Sequence, residues 1–322
     1  NYINCIFVAM KKAIKFLLKT VAILFIIANS IIAFHAYKFT HFYNVGEVTI
    51  KQQKDKTKWD ITKEMLLGIN AQKQQNTVAD SATKIIKLTT KDNIELEAWH
   101  KTVDSAKGTI CMFHGHGGKK SGTNKEAEEF RKMGYNTFQL DFRAHGSSKG
   151  NSCTIGVDEA EDVKLAYDFV KAKGEKNIIL WGISMGASAI TASVKDYKEL
   201  TPQKIILEMP FGTLMEAVEG RIKMMKLPPQ PISTLITFWG GIQHGNWAFN
   251  MKPQEFAKKI TCPTLLQWGA NDPRVTRKEE ETLFANLGTT NKKFVVYQNS
   301  AHESLCTNET TKWVNEVSSF LK

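Results

Sequence analysis

From Ser81 onward the chain repeats one pattern: a short, nearly continuous apolar run followed by a stretch with helical spacing. The runs fall at 108–113, 136–141, 177–181, 204–208, 263–268 and 293–297, and the helix-like stretches at 124–132, 157–173, 185–195, 277–286 and 310–321. A strand with one wet face alternates apolar and polar residues, so a strand that is apolar throughout is covered on both faces. That requirement predicts an α/β fold with a mostly parallel central sheet flanked by helices. Segments 84–89 and 94–101, joined by Lys91-Asp92-Asn93, read as an antiparallel hairpin ahead of it. In such sheets functional residues gather at the carboxyl ends of the strands. Between about 210 and 253 the repeat is interrupted by a Met-, Trp- and Pro-rich stretch, too long for an ordinary connection, which reads as a lid insertion.

The run 178–181 leads through Gly182-Ile183-Ser184-Met185-Gly186 into small residues, Ala187, Ser188 and Ala189. This is a strand, a G-x-S-x-G turn and a helix: small residues at ±2 let strand and helix approach where a nucleophilic serine sits on a sharp turn. A serine hydroxyl is a weak nucleophile, so it needs a base, and the base needs an orienting carboxylate. Downstream, Asp272 stands in a turn after the run 263–268, and His302 follows the last strand. Taken singly, Asp272 is as easily a turn cap and His302 a surface residue. Their order and strand-end placement make Ser184, Asp272 and His302 the candidate catalytic set, with Glu303 a bystander.

An oxyanion needs two backbone N–H donors. Met185 follows the nucleophile and supplies one; His114-Gly115-His116-Gly117-Gly118, after the run 108–113, supplies the other through the His116 amide. No register there gives the G-x-x-x-x-G-K-[ST] of a phosphate loop. His114 and His116 lack further visible ligands for a metal, so no metal and no cofactor is expected. Met215, Trp239 and Trp247 in the lid are candidates for an apolar substrate wall, though the same residues serve equally to pack the lid.

Together these motifs, with Asp141-Phe142-Arg143-Ala144-His145-Gly146-Ser147-Ser148 and Gly269 through Val275, resemble the α/β-hydrolase superfamily, in particular its serine aminopeptidase/monoglyceride lipase-like branch. The resemblance covers about residues 81–322. In that family the segment 141–148 is a structural turn beside the oxyanion loop, usually with Gly where Ala144 stands here. The resemblance implies a serine hydrolase that works through an acyl-enzyme on a small-molecule acyl substrate, without implying which acyl group; the reading is a carboxylic ester, and the apolar lid beside a membrane segment suits a lipid-like one. Peptidase, aminopeptidase and thioesterase chemistry use the same triad. A membrane-tethered domain that binds without catalysis is the non-enzymatic alternative, and an intact triad argues against it.

The amino-terminal quarter is different. Lys11, Lys12, Lys15 and Lys19 precede an uncharged apolar stretch, 20–37, closed by Lys38. Eighteen helical residues reach roughly 27 Å, close to a hydrocarbon core of about 30 Å. The expected organisation is a basic segment 1–19, a transmembrane anchor or signal segment 20–37, a polar spacer 38–80 with a short helix against the domain, and the hydrolase domain 81–322. The Lys-rich side then stays cytoplasmic and the catalytic domain lies outside. Cleavage near Ala28-Asn29-Ser30 would instead secrete it, and Met10 before Lys11 is an alternative start, with residues 1–9 either part of the protein or upstream of it.

The net charge of +11 does not indicate nucleic acid. Residues 1–80 hold 11 Lys against 5 acidic residues, so more than half the excess lies beside the apolar segment, and no basic run is interleaved with aromatics. The five cysteines show no CxxC spacing, so a zinc or redox motif has no support.

Overall fold

The apolar runs assemble into one eight-stranded sheet in the computed structural model, which describes residues 2–322 and side chains from residue 6 onward. The strands are β1 (Lys84–Thr89), β2 (Glu95–Lys101), β3 (Thr109–Phe113), β4 (Asn136–Leu140), β5 (Ile178–Ile183), β6 (Lys204–Glu208), β7 (Thr264–Gly269) and β8 (Lys292–Tyr297). Their spatial order is β1-β2-β4-β3-β5-β6-β7-β8. β1 pairs with β2 and β2 with β4 in antiparallel fashion, and all other pairs are parallel. The hairpin between β1 and β2 turns at Asn93, whose φ of 60° is the left-handed conformation Asn tolerates well.

The period of two along each strand sorts its side chains onto two faces. On β5, Ile178 and Leu180 join one core layer, with Val163, Tyr167 and Ile190. Ile179 and Trp181 join the other, with Phe130, Trp313 and Val317. The first layer lies under helices α4 (Glu159–Ala172) and α5 (Met185–Asp196), and the second under α3 (Asn124–Lys132) and the carboxyl-terminal helix Thr310–Leu321. All residues of β3 and β7 are buried, which is why those runs carry no polar alternation. The insertion after β6 forms two helices, α6 (Leu214–Met224), capped by the Thr213 hydroxyl, and α7 (Ile232–Gln243).

Helix α1 spans Tyr2–Thr40, well beyond the apolar stretch on either side. Residues Ile6–Thr40 are long and apolar enough to cross a membrane, by length and composition. From Ile6 to Ile27 their large apolar side chains are exposed. The end of α1, in contrast, packs on the domain: Ala36 and Thr40 are buried, Trp239 of α7 donates to Asn29 Oδ1 at 3.2 Å, and Gln243 donates to the Ala33 carbonyl at 2.9 Å. Segment 38–80 is less of a free spacer than its composition predicts. Phe42–Tyr43 pairs with Ala71–Gln72, Lys73 Nζ donates to the Ser148 carbonyl at 2.9 Å, and Asn76 reaches Asp141 at 2.6 Å. The short helix expected there is α2 (Lys58–Leu67), started by a capping box of Thr57 and Asp60. It docks on α1, where His35 meets the Met65 carbonyl at 2.9 Å, and not on the catalytic domain; Trp59, Met65, Leu66 and Ile69 face outward.

Candidate active site

Ser184 stands between β5 and α5 with φ 54° and ψ −118°, a conformation that costs a non-glycine residue about 1–3 kcal/mol. The surroundings hold it there. Its N–H donates to the Glu208 carbonyl at 2.7 Å, and its carbonyl accepts from Ser188 N–H at 2.9 Å. A Cβ on Gly182 would lie 2.6 Å from the Gly186 carbonyl carbon, and one on Gly186 would overlap the Phe113 carbonyl. Both glycines are therefore required by close backbone approach.

Below this turn Glu208 accepts from Trp181 Nε1 at 2.9 Å, Trp313 Nε1 at 2.7 Å and Gln267 Nε2 at 3.0 Å, all through Oε1. Burial, then the charge of Glu126, pushes its pKa up to about 8. A carboxyl whose folded pKa is raised favours the fold most at pH values below its unfolded pKa, and that favour is lost as pH rises toward the folded value. Glu208→Gln removes this dependence while keeping the acceptor oxygen. The variant should therefore gain stability relative to the parent between pH 5 and pH 8, at up to about 1.4 kcal/mol per pH unit. Thermal unfolding midpoints at the two pH values measure it; a difference that does not change with pH contradicts it.

Asp272, in the turn after β7, and His302, after β8, meet at Ser184. His302 Nε2 lies 2.8 Å from Ser184 Oγ, and His302 Nδ1 lies 2.6 Å from Asp272 Oδ2. The Asp272 side chain is wholly buried, and its Oδ1 accepts from the amides of Arg274 at 2.7 Å and Val275 at 3.0 Å. Those two amides fix the carboxylate, the carboxylate fixes Nδ1–H, and Nε2 is left as the acceptor facing the serine. Glu303 turns away, to the Ala301 amide and Asn308.

The loop after β3 closes over the same serine. A Cβ built on Gly115 would lie 3.9 Å from Ser184 Oγ, in ordinary contact with it, so this backbone runs directly beside the serine. Gly117 N–H is spent on His145 Nε2 at 3.0 Å and Gly118 N–H on the Gly115 carbonyl at 3.0 Å. Among the described residues the His116 amide has no acceptor, and Met185, as the first residue of α5, has no intrahelical one. Three imidazoles brace the loop. His114 donates from Nδ1 to the Gly115 carbonyl at 2.8 Å and accepts the Phe142 amide at Nε2. His145 donates from Nδ1 to the Arg143 carbonyl at 2.8 Å while accepting Gly117. His116 donates from Nε2 to the Phe39 carbonyl at 3.0 Å, and its Nδ1 faces an Arg221 nitrogen at 3.3 Å. All six ring nitrogens are engaged in a single tautomer each, and burial lowers all three pKa values, that of His116 to about 3.

The turn 141–148 anchors this loop from behind. Asp141 takes Lys120 Nζ at 2.5 Å, the Lys120 amide at 2.6 Å and the Ser147 amide at 2.8 Å; Arg143 reaches Asp162 on α4 at 2.6 Å. Ala144, where the family usually has Gly, adopts φ 62°, so the backbone keeps the glycine-like conformation at some cost in strain.

Lid and α1 lie over the site together. A small apolar cavity between them is lined by Ala36, Phe39, Leu214, Val218, Ile236 and Ala248. Phe39 also packs on the His116 ring at 4.9 Å between centroids, which places the cavity one side chain from the oxyanion loop. Of the lid residues singled out in the sequence, Met215 sits on α6 with its sulfur 3.9 Å from the Thr234 hydroxyl. Trp239 is turned onto Asn29 of α1, and Trp247 is 55% exposed against Phe249. Neither tryptophan lines the cavity; smaller aliphatic residues at helical spacing do. Sequence reasoning missed Lys120, which follows the loop, and Arg221 and Phe39, which reach it from distant parts of the chain.

The family model described as "Serine aminopeptidase, S33" matches residues 104–239. The chain is 23% identical over 193 residues to the uncharacterized protein YqkD of Bacillus subtilis, covering 59% of this chain. It spans about three-fifths (63%) of that curated relative's length. Among solved structures it resembles the esterase Pf2001 of Pyrococcus furiosus, with TM-score 0.64 and 23% identity over 77% of this chain and 96% of that one. It also resembles a bacterial membrane phospholipase A, described as a virulence factor, with TM-score 0.53 and 20% identity over 74% of this chain and 86% of that one.

Proposed function

We propose that this chain, whose fold is that of the α/β hydrolases, is a membrane-tethered serine hydrolase that cleaves carboxylic esters of apolar, lipid-like acyl groups. The observation that carries this reading is the unbroken hydrogen-bond chain from Asp272 through His302 to Ser184 Oγ, with two uncommitted amides beside it. His302 Nε2 takes the Ser184 proton as Oγ attacks the ester carbonyl, and Asp272 stabilises the imidazolium. The His116 and Met185 amides receive the oxyanion. His302 returns the proton to the departing alcohol, leaving an acyl group on Ser184. Water, deprotonated by the same imidazole, releases the acid and restores the serine.

The acyl preference rests on the apolar cavity beside the loop and on α1, which we read as an anchor that keeps lid and site at a bilayer surface. An extracytoplasmic catalytic domain follows from the lysines that precede the apolar stretch. The S33 description favours an aminopeptidase as the second reading. That reaction must seat a substrate α-ammonium near the scissile carbonyl, and the Arg221 guanidinium, 3.3 Å from the His116 ring, repels it. A screen of the full chain in detergent micelles distinguishes the readings. Turnover of p-nitrophenyl esters should rise from acetate to longer acyl chains and exceed turnover of aminoacyl amides and thioesters. An optimum at acetate contradicts the lipid-like preference, and a preference for aminoacyl amides contradicts the ester reading.

A further inference from the structure

Arg221 and Arg274 stand beside the proposed catalytic centre with no acidic partner. Arg221, in the last turn of α6, extends to His116, where its nitrogen lies 3.3 Å from Nδ1. Its guanidinium covers the Phe39 ring at 4.9 Å. Arg274 comes from the turn after β7 that also carries Asp272. Its backbone is packed on α6: a Cβ on Gly220, the residue before Arg221, would lie 3.1 Å from the Arg274 Cα. Among the described residues no carboxylate forms an ion pair with either guanidinium. Asp272 is adjacent to Arg274 in the chain but spends its oxygens on His302 and on the Arg274 and Val275 amides. The two cations feel each other: burial and then the charge of Arg274 hold the Arg221 pKa down to about 10, and both charges lower that of His116. Two other buried cations are paired with acids, Lys120 with Asp141 and Glu97, and Arg143 with Asp162 and Glu161, while buried Lys73 is satisfied by the Ser148 carbonyl. An unpaired, half-buried guanidinium is costly, and the planar fork of Arg suits carboxylate and phosphate oxygens.

We propose that Arg221 and Arg274 form a binding site for an anionic oxygen group, a carboxylate or a phosphate, carried by the substrate next to its scissile ester. Arg221 joins the site to the chemistry because the ring it touches belongs to the residue whose amide faces the oxyanion. The substrate class becomes an anionic ester with an apolar acyl chain. This inference rests on the serine-hydrolase reading above.

The test uses the full chain in neutral detergent micelles with two matched pairs of esters. One pair is p-nitrophenyl hexanoate and mono-p-nitrophenyl adipate, which places a carboxylate on the acyl side. The other is a 1-acylglycerol and its 3-phosphate, which places a phosphate on the leaving side. In at least one pair the anionic member should be preferred in kcat/KM by roughly 30-fold at low salt, the responding pair identifying the side and the anion. Arg221→Gln and Arg274→Gln should each reduce that preference at least tenfold, with Arg→Lys retaining part of it. Inorganic phosphate should slow fluorophosphonate labelling of the parent, and slow it less in either Gln variant. Equal kcat/KM within both pairs, or a loss in Arg221→Gln that is the same for charged and neutral esters, overturns the anion site while the hydrolase reading stands. If all four esters are inert but labelling proceeds, absence of phosphate protection overturns it. Absence of both turnover and labelling overturns the hydrolase reading itself.

Discussion

His302→Gln is expected to lower kcat by roughly 10⁶ on any ester the chain turns over, the scale seen when a serine hydrolase loses its base. Among the described residues the imidazole is the only group within hydrogen-bond distance of both Ser184 Oγ, at 2.8 Å, and Asp272, at 2.6 Å, so no other described side chain takes over the proton transfer. Asp272→Asn should cost about 10⁴, because the amide no longer accepts Nδ1–H and the imidazole loses its productive tautomer. The double variant should be no worse than His302→Gln alone, since residues that act as a unit are not additive. KM should change little, because the substrate's apolar contacts are elsewhere. Steady-state kinetics on protein whose thermal unfolding matches the parent provides the measurement. A loss of less than tenfold in His302→Gln contradicts the assigned role.

Lys120→Met should destabilise the fold by about 3–5 kcal/mol, the cost of leaving a buried charge without its partner. The Lys120 ammonium is inaccessible to solvent, lies 2.5 Å from an equally buried Asp141 carboxylate and 2.9 Å from Glu97, and sits over the Trp99 ring. Methionine fills most of the volume and removes the charge, so the Asp141 carboxylate keeps only its amide donors and Asn76. Asp141 holds the amides of both Lys120 and Ser147, so the oxyanion loop and the turn behind it should loosen together. Denaturant unfolding in micelles at pH 7 reads the loss. A change below about 1 kcal/mol means the triad of charges is not holding the two loops. Lys120→Met combined with Asp141→Asn should recover part of the loss, because the uncompensated charge is then gone.

The sequence made the sheet legible because continuous apolar runs can only be strands covered on both faces. Segment 84–89, the helix 124–132 and the strand 204–208 fall where the structure has them, the hairpin turn included. The serine, aspartate and histidine were legible for a related reason. Each follows a recognisable strand, so fold order alone brings them to one end of the sheet. The geometry now puts Ser184, His302 and Asp272 within hydrogen-bond distance of one another in that order.

What stayed hidden depends on contacts between elements whose relative placement no local pattern encodes. Nothing local marks Lys120, the second of two lysines after Gly117-Gly118, and only the return of Asp141 from the next strand makes it a buried ion. The lid tryptophans were attractive as a substrate wall because of their size. In the structure α1 takes Trp239 through Asn29, and the aliphatic faces of α6 and α7 line the cavity instead. The end of α1 is the largest surprise in physical terms. The helix that carries the stretch 20–37 continues to Phe39, whose carbonyl fixes the His116 tautomer and whose ring backs Arg221. Within 20–37, Asn29 and Ala33 bond to α7 and Ala36 is buried, so part of that apolar signal is packing against the lid.

The measurement that bears most directly on the proposed function is covalent labelling of the full chain with a fluorophosphonate, followed by mapping of the adduct by peptide mass spectrometry. The account predicts one adduct, on Ser184, formed in parallel with loss of esterase activity and absent in Ser184→Ala. Undiminished labelling of Ser184→Ala, or an adduct on any other residue that accompanies the loss of activity, would contradict it.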